Sequence, residues 1–232
     1  MNHKMHRSLP RICIMGGIML TCALQSTAQG TENIRDSLSQ AVNELASNPS
    51  SVSLRLKKAG WNLQLHQWQY ALDEYNKILK RNPQNVAALF YRAYSNEMLH
   101  RYNFARLDYE NVLVLVPGHF EALLGLALLN QKDNHLTEAY DQINMLVTQN
   151  PDSAIAYAAR GGIENEKHQY ELAEYDYDKA IELDPQNTDY RLCRVDTRLK
   201  LGQKEKAKDD LDTLVGMGIA RVRLKSYYQQ CK

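Results

Sequence analysis

Apolar positions return along this chain every 34 residues, and within each period they follow the spacing of a helix. Ala71, Tyr75 and Ile78 lie at i, i+4 and i+7, so they share one helical face. The same triplet recurs as Ala105, Tyr109 and Val112, as Ala139, Ile143 and Leu146, as Ala173, Tyr177 and Ala180, and as Ala207, Leu211 and Leu214. Twelve residues before each alanine stands a second small column, Ala59, Ala93, Ala127, Gly161 and Val195. Small residues facing each other let two antiparallel helices approach at the short end of the usual interaxial range. Each period therefore predicts two helices, A and then B. Prolines 49, 83, 117, 151 and 185 fall at the end of successive B helices, where proline turns the preceding residue away from helical geometry and stops the helix.

Between A and B comes a polar column, His66, His100, Asn134, His168 and Gly202. Histidine, asparagine and glycine are among the residues that tolerate the positive φ of a tight helix-to-helix turn. The three histidines stand one per period, so they lie far beyond the ~2 Å reach of a zinc ion to its ligand nitrogens. No metal site is expected from them.

A 34-residue helix-turn-helix period with these alanines, small residues, aromatics at Tyr75, Tyr109 and Tyr177 and closing prolines resembles the tetratricopeptide repeat, over about residues 52–218. The helix-A position that is tryptophan-like in that family is here Arg55, Leu89, Leu123, Tyr157 and Arg191, so the first and last periods depart most from it. The resemblance implies an all-α, right-handed α-solenoid of about five tandem repeats closed by terminal capping helices. The expected units are repeats over 52–85, 86–119, 120–153 and 154–187 and a degenerate fifth over 188–218. Residues 29–51 read as a polar leader and an N-terminal capping helix carrying Ile34, Leu38, Ala41, Val42 and Leu45 on one face. After the glycine stop at Gly216 and Gly218, residues 219–230 read as a C-terminal capping helix with Ile219, Val222, Tyr227 and Tyr228 available for packing.

Residues 1–28 read differently. Lys4, Arg7 and Arg11 precede an apolar run from Ile12 to Leu24, and Ser26 and Ala28 supply small residues before Gln29. That order is a secretory signal peptide, and the run is too short to span a bilayer. Export to the periplasm or beyond the cell is the expectation. Its removal turns the net charge from +1 to −2, and with no basic stretch left a nucleic-acid surface is not expected. The mature chain keeps Cys193 and Cys231, placed about ten helical residues apart along neighbouring parallel helices, too far for a disulfide.

No HExxH pair, GxSxG elbow, phosphate loop or CxxC is present. The densest charge cluster, Glu171, Glu174, Asp176, Asp178, Glu182 and Asp184, reads as the solvent face of one B helix beside Lys179. The chain is accordingly expected to be no enzyme, to use no cofactor and to act by binding. The resemblance places the partner surface on the A helices, at Leu56, Gly60, Leu63 and Gln64, then Phe90, Tyr94, Glu97 and Met98, then Leu124, Leu128, Gln131 and Lys132, then Ala158, Gly162, Asn165 and Glu166. The family's carboxylate clamp of lysine and asparagine is replaced here by Phe90, Tyr94, Leu124 and Leu128. The expected ligand is a protein or peptide with an apolar or aromatic anchor, gripped by Phe90 and Tyr94. The other reading of Phe90 and Leu124 is packing between adjacent repeats. An alternative role is a structural subunit that assembles with itself or a larger complex through its terminal repeats.

Overall fold

Every A helix after the first loop starts on a side chain that repeats with the core. Ser51, Asn85, His119, Ser153 and Asn187 each accept the backbone N–H of the residue three positions on, Leu54, Ala88, Ala122, Ala156 and Tyr190. Such caps satisfy one of the N–H groups that a helix start leaves without a partner. The B helices that start after Gln67, Arg101, Gln169 and Gln203 do without them. The B helices follow turns in which His66, His100, Asn134, His168 and Gly202 all have φ between 57° and 73°, the left-handed geometry expected of that column. The histidines hold these turns through their neighbours: His100 and His168 share hydrogen bonds of 3.0 and 2.7 Å with the hydroxyls of Tyr102 and Tyr170.

The computed structural model describes residues 28–232, which are helical with short turns and contain no strand. The expected signal peptide, bar Ala28, lies outside the described residues. Contacts divide the chain into two compact units that meet at His135 and Leu136, inside the stretch expected as the third repeat. The first unit holds α1 (Ala28–Ser47), α2 (Val52–Gln64), α3 (Trp68–Arg81), α4 (Val86–Met98), α5 (Tyr102–Leu115) and α6 (Phe120–Lys132). The second holds α7 (Leu136–Gln149), α8 (Ala154–Glu166), α9 (Tyr170–Leu183), α10 (Thr188–Lys200), α11 (Lys204–Gly216), a 3-10 turn over Arg221–Leu224 and α12 (Lys225–Gln230). In the first unit α1 packs on α2, and successive helices pair from there to α6; in the second the same succession runs from α7 to α11, with α12 against α10 and α11.

The two small columns and the B-helix stripe are fully buried, from Ala59 and Ala71 to Val195 and Leu214. Closeness is a real constraint at Gly161, where a Cβ would come within 3.2 Å of the Tyr177 ring and 3.3 Å of the Ala173 carbonyl oxygen.

Both chain ends differ from the expectation. Residues 28–33 belong to α1 rather than to a leader. In α1, Ala41 and Leu45 are buried, in the columns of Tyr75 and Leu79 one period back. At the other end the last helix is cut short by the 3-10 turn. Val222, expected to pack, is 77% exposed, and Leu224 is buried instead beside Ile219, Tyr227 and Tyr228. The 3-10 turn rotates the chain relative to a continuous α-helix, which moves Leu224 inward. Neither Cys193 nor Cys231 is part of a disulfide.

Candidate functional site

The A helices α2, α4, α8 and α10 are held to their neighbours by a ladder of ion pairs with a sequence spacing of sixteen. In the first unit Arg92 donates from Nε and Nη2 to the Asp108 carboxylate at 2.8 and 2.6 Å, and from Nη1 to Asn76 at 2.9 Å. In the second, Arg160 treats Asp176 and Asn144 in the same way, and Arg194 treats Asp210 and Asp178. Each arginine thus bridges the B helix after it and the B helix before it. Tyr228 continues the arginine column into α12 and donates to Asp212 at 2.6 Å. At the first rung Lys58, Arg55 and Lys77 all donate to Glu74, at 2.7 to 2.9 Å. Burial pushes the Glu74 carboxyl up, but the hydrogen bonds from Lys77, Lys58 and Arg55 outweigh it and hold it at about 2.

This ladder corrects the reading of the acidic cluster on α9. Asp176 is buried on Arg160, and Glu174 is half-buried, accepting from Arg198 and Gln203. Only part of that cluster faces water. The sequence carried a signal for the ladder: one basic column and one acidic column in register with the alanines.

With the A helices fixed in this way, their outer faces can be compared with the expected partner surface. Phe90 is 9% exposed and lies against the rings of Tyr91, Tyr109 and His119, with centroids 5.2 to 5.8 Å apart. Leu124 is fully buried and Leu128 is 3% exposed. These three are packing residues, the second of the two readings, because three aromatic neighbours enclose Phe90 and the α6 leucines face inward almost all round. Leu63 is buried in α2 as well. Glu97 is also buried: its Oε1 accepts from Lys132 at 2.8 Å and its Oε2 from the Tyr109 hydroxyl at 3.2 Å. Burial, with the Glu97 carboxylate beside it, pushes the Tyr109 phenol well above its ordinary value and raises that of Tyr94.

Leu56, Gly60, Tyr94, Met98, Gln131 and Lys132 remain half-exposed. Tyr94 is propped by Trp68, edge to face with centroids 5.9 Å apart, and Trp68 in turn packs on the turn residue His66 at 5.0 Å. Sequence columns did not reveal Trp68 as a support for Tyr94, because it comes from the start of α3, in the preceding repeat. A Cβ added to Gly60 would meet nothing within 4 Å, so this glycine opens space on α2. Lys132 has its charge met by Glu97. The surface therefore offers apolar and aromatic area and a neutralised ion pair, a poor seat for a carboxylate and a good one for an apolar side chain. In the second unit Ala158 and Asn165 are buried, the latter donating to Thr197 at 2.7 Å, and only Gly162 and Glu166 of the expected set are half-exposed. Among the described residues no cluster of histidine, cysteine and acidic side chains would hold a metal ion, and no helix is long and apolar enough to cross a membrane.

No protein-family model and no curated protein matches the chain. Solved structures do. A tetratricopeptide repeat protein from Parabacteroides merdae superposes with a TM-score of 0.72 at 21% identity, covering 88% of this chain and 79% of that one. TTC0263, a thermophilic TPR protein in Thermus thermophilus, gives 0.64 at 18% identity over 78% of this chain and 98% of its own. YrrB, described as a TPR protein with an unusual peptide-binding site, gives 0.56 at 17% identity, over 76% and 91% of the two chains. With its paired helices, buried small columns and capped 34-residue period, the chain has the fold of the tetratricopeptide-repeat proteins, an all-α repeat solenoid.

Proposed function

We propose that this chain is an exported, non-enzymatic interaction module that holds a protein or peptide partner on the A helices of residues 28–135. The observation that carries this reading is that Leu56, Tyr94 and Met98, on α2 and α4, are left half-exposed and that Gly60 on α2 faces open space. Large apolar side chains left partly uncovered beside a residue with no side chain make a pocket for an apolar anchor. The neutralised Glu97–Lys132 pair at its border favours an uncharged anchor over an acidic tail. Work in a bacterial cell envelope is part of the proposal, and it rests on the basic, apolar and small-residue order of positions 1–28.

The test is a crosslinking pull-down of the mature protein from its own envelope, beside a Tyr94→Ala/Met98→Ala double variant shown by circular dichroism to be folded. Both residues are half-exposed, so their truncation leaves the core intact, whereas Leu128→Ala would not. A partner captured by wild type and lost by the variant is the expected result. Equal capture by both proteins would remove the partner from this surface.

A further inference from the structure

In the second unit one buried acid stands outside the ladder. Glu164, on α8, is 3% exposed, and it occupies the column that holds Asn62, Asn96 and Asn130 in the preceding A helices. From α7, the Tyr140 hydroxyl donates to its Oε1 at 3.3 Å. Its Oε2 accepts from no donor among the described residues. The group within hydrogen-bonding reach on α9 is Asp176, another carboxylate, itself 1% exposed.

Cations do not resolve this pairing. Arg160, from α8 itself, points Nε and Nη2 at Asp176 and Nη1 at Asn144. Lys167 lies with its Nζ 4.3 Å from the centre of the Tyr140 ring. From α10, Arg194 is taken up by Asp210 and Asp178, and Arg198 by Glu174 and Asp210. One guanidinium thus serves two buried carboxyl groups, and two carboxyl groups in contact can form a hydrogen bond only when one of them carries a proton.

We propose that Glu164 and Asp176 share a proton that latches α8 onto α9, and that its loss as the medium turns alkaline loosens this helix pair. The proton resides on Glu164, because Arg160 directs Nε and Nη2 to Asp176 and no guanidinium N–H to Glu164. Burial first, and then the Asp176 carboxylate, push the Glu164 carboxyl up to about 8. A folded-state value raised above the unfolded one makes the stabilisation complete below the unfolded value of about 4.5 and progressively lost as pH rises through about 8. The asparagines at the equivalent positions are neutral at every pH, so the latch belongs to this unit alone.

The experiment has two arms, both on the full mature protein. In wild type labelled with 13C at glutamate carboxyls, the Glu164 resonance is expected to titrate with a midpoint near 8; a midpoint in the ordinary glutamate range would overturn the proposal. Thermal unfolding is then followed from pH 5 to pH 9 for wild type and Glu164→Gln, a neutral side chain of the same shape that can donate to Asp176. Wild type is expected to lose on the order of 5 °C more than the variant across that range. Parallel profiles would overturn the latch, and should the variant not fold, the wild-type titration decides alone.

Discussion

Glycines that look alike in the sequence do different work once their neighbours are known. Gly125 in α6 faces the ring of Tyr109 in α5, and a Cβ there would come within 2.8 Å of Cζ. Gly60 in α2 faces open space. We therefore expect Gly125→Ala to cost about 1–3 kcal/mol through overpacking. Gly60→Ala is expected to stabilise the protein by about 0.5–1 kcal/mol, since alanine is the better helix former in a helix interior. Urea denaturation of the two variants measures both signs. The Gly60 methyl also enters the proposed pocket, so the same variant should weaken partner capture while raising stability. At this scale the small columns were legible in the sequence because their period was unbroken. The burial of Phe90 was not, because its enclosing rings come from α4, α5 and the residue before α6.

Between elements, the ladder decides how A and B helices meet. Its basic column runs Lys58, Arg92, Leu126, Arg160 and Arg194, and its acidic column Glu74, Asp108, Gln142, Asp176 and Asp210. Both columns are uncharged at one place in the sequence, at Leu126 and Gln142. Replacing Arg92 by leucine alone strands the buried Asp108 carboxylate and is expected to cost about 3–5 kcal/mol. The double change Arg92→Leu/Asp108→Gln should cost less than that single one, because it leaves no charge without a partner. A denaturant double-mutant cycle reads the difference. The first rung predicts acid sensitivity of opposite sign to the α8–α9 latch. Glu74 is held at about 2 in the fold, so its stabilisation is complete above its ordinary value of 4.5 and is lost as pH falls through about 2. Glu74→Gln should flatten the acid limb of the unfolding profile below pH 4.5 and leave the alkaline limb unchanged.

At the scale of the molecule, both ends replace core residues of the repeat with polar ones. In α1, Ser37 and Glu44 stand one period before Ala71 and Ile78, and Glu44 is exposed. In α12, Gln229 stands one period after Val195 and is exposed. Solenoid ends that meet water are built in this way. Light scattering should then give one chain's mass at all concentrations, and a mass rising with concentration would favour assembly through the ends. Deleting residues 219–232 removes Leu224 and Ile219 from the cluster of Leu211 and Leu214. The truncated protein should unfold at lower temperature and bind an apolar dye that the full chain does not.

What the sequence determined by itself was everything carried by repetition: the helix pairs, their stops, the left-handed turns and the buried alanines. A pattern repeated every 34 residues reports local geometry, and local geometry follows from spacing and residue type. The ladder was also written there, in two charged columns, but it takes a known helix contact to join residues sixteen apart. Tertiary structure alone decided which A-helix side chains are packing and which are surface, because that depends on rings and chains arriving from other helices. It also decided the surroundings of Glu164, since a carboxyl's hold on its proton grows with burial and with a second acid beside it, and neither can be read from spacing along the chain.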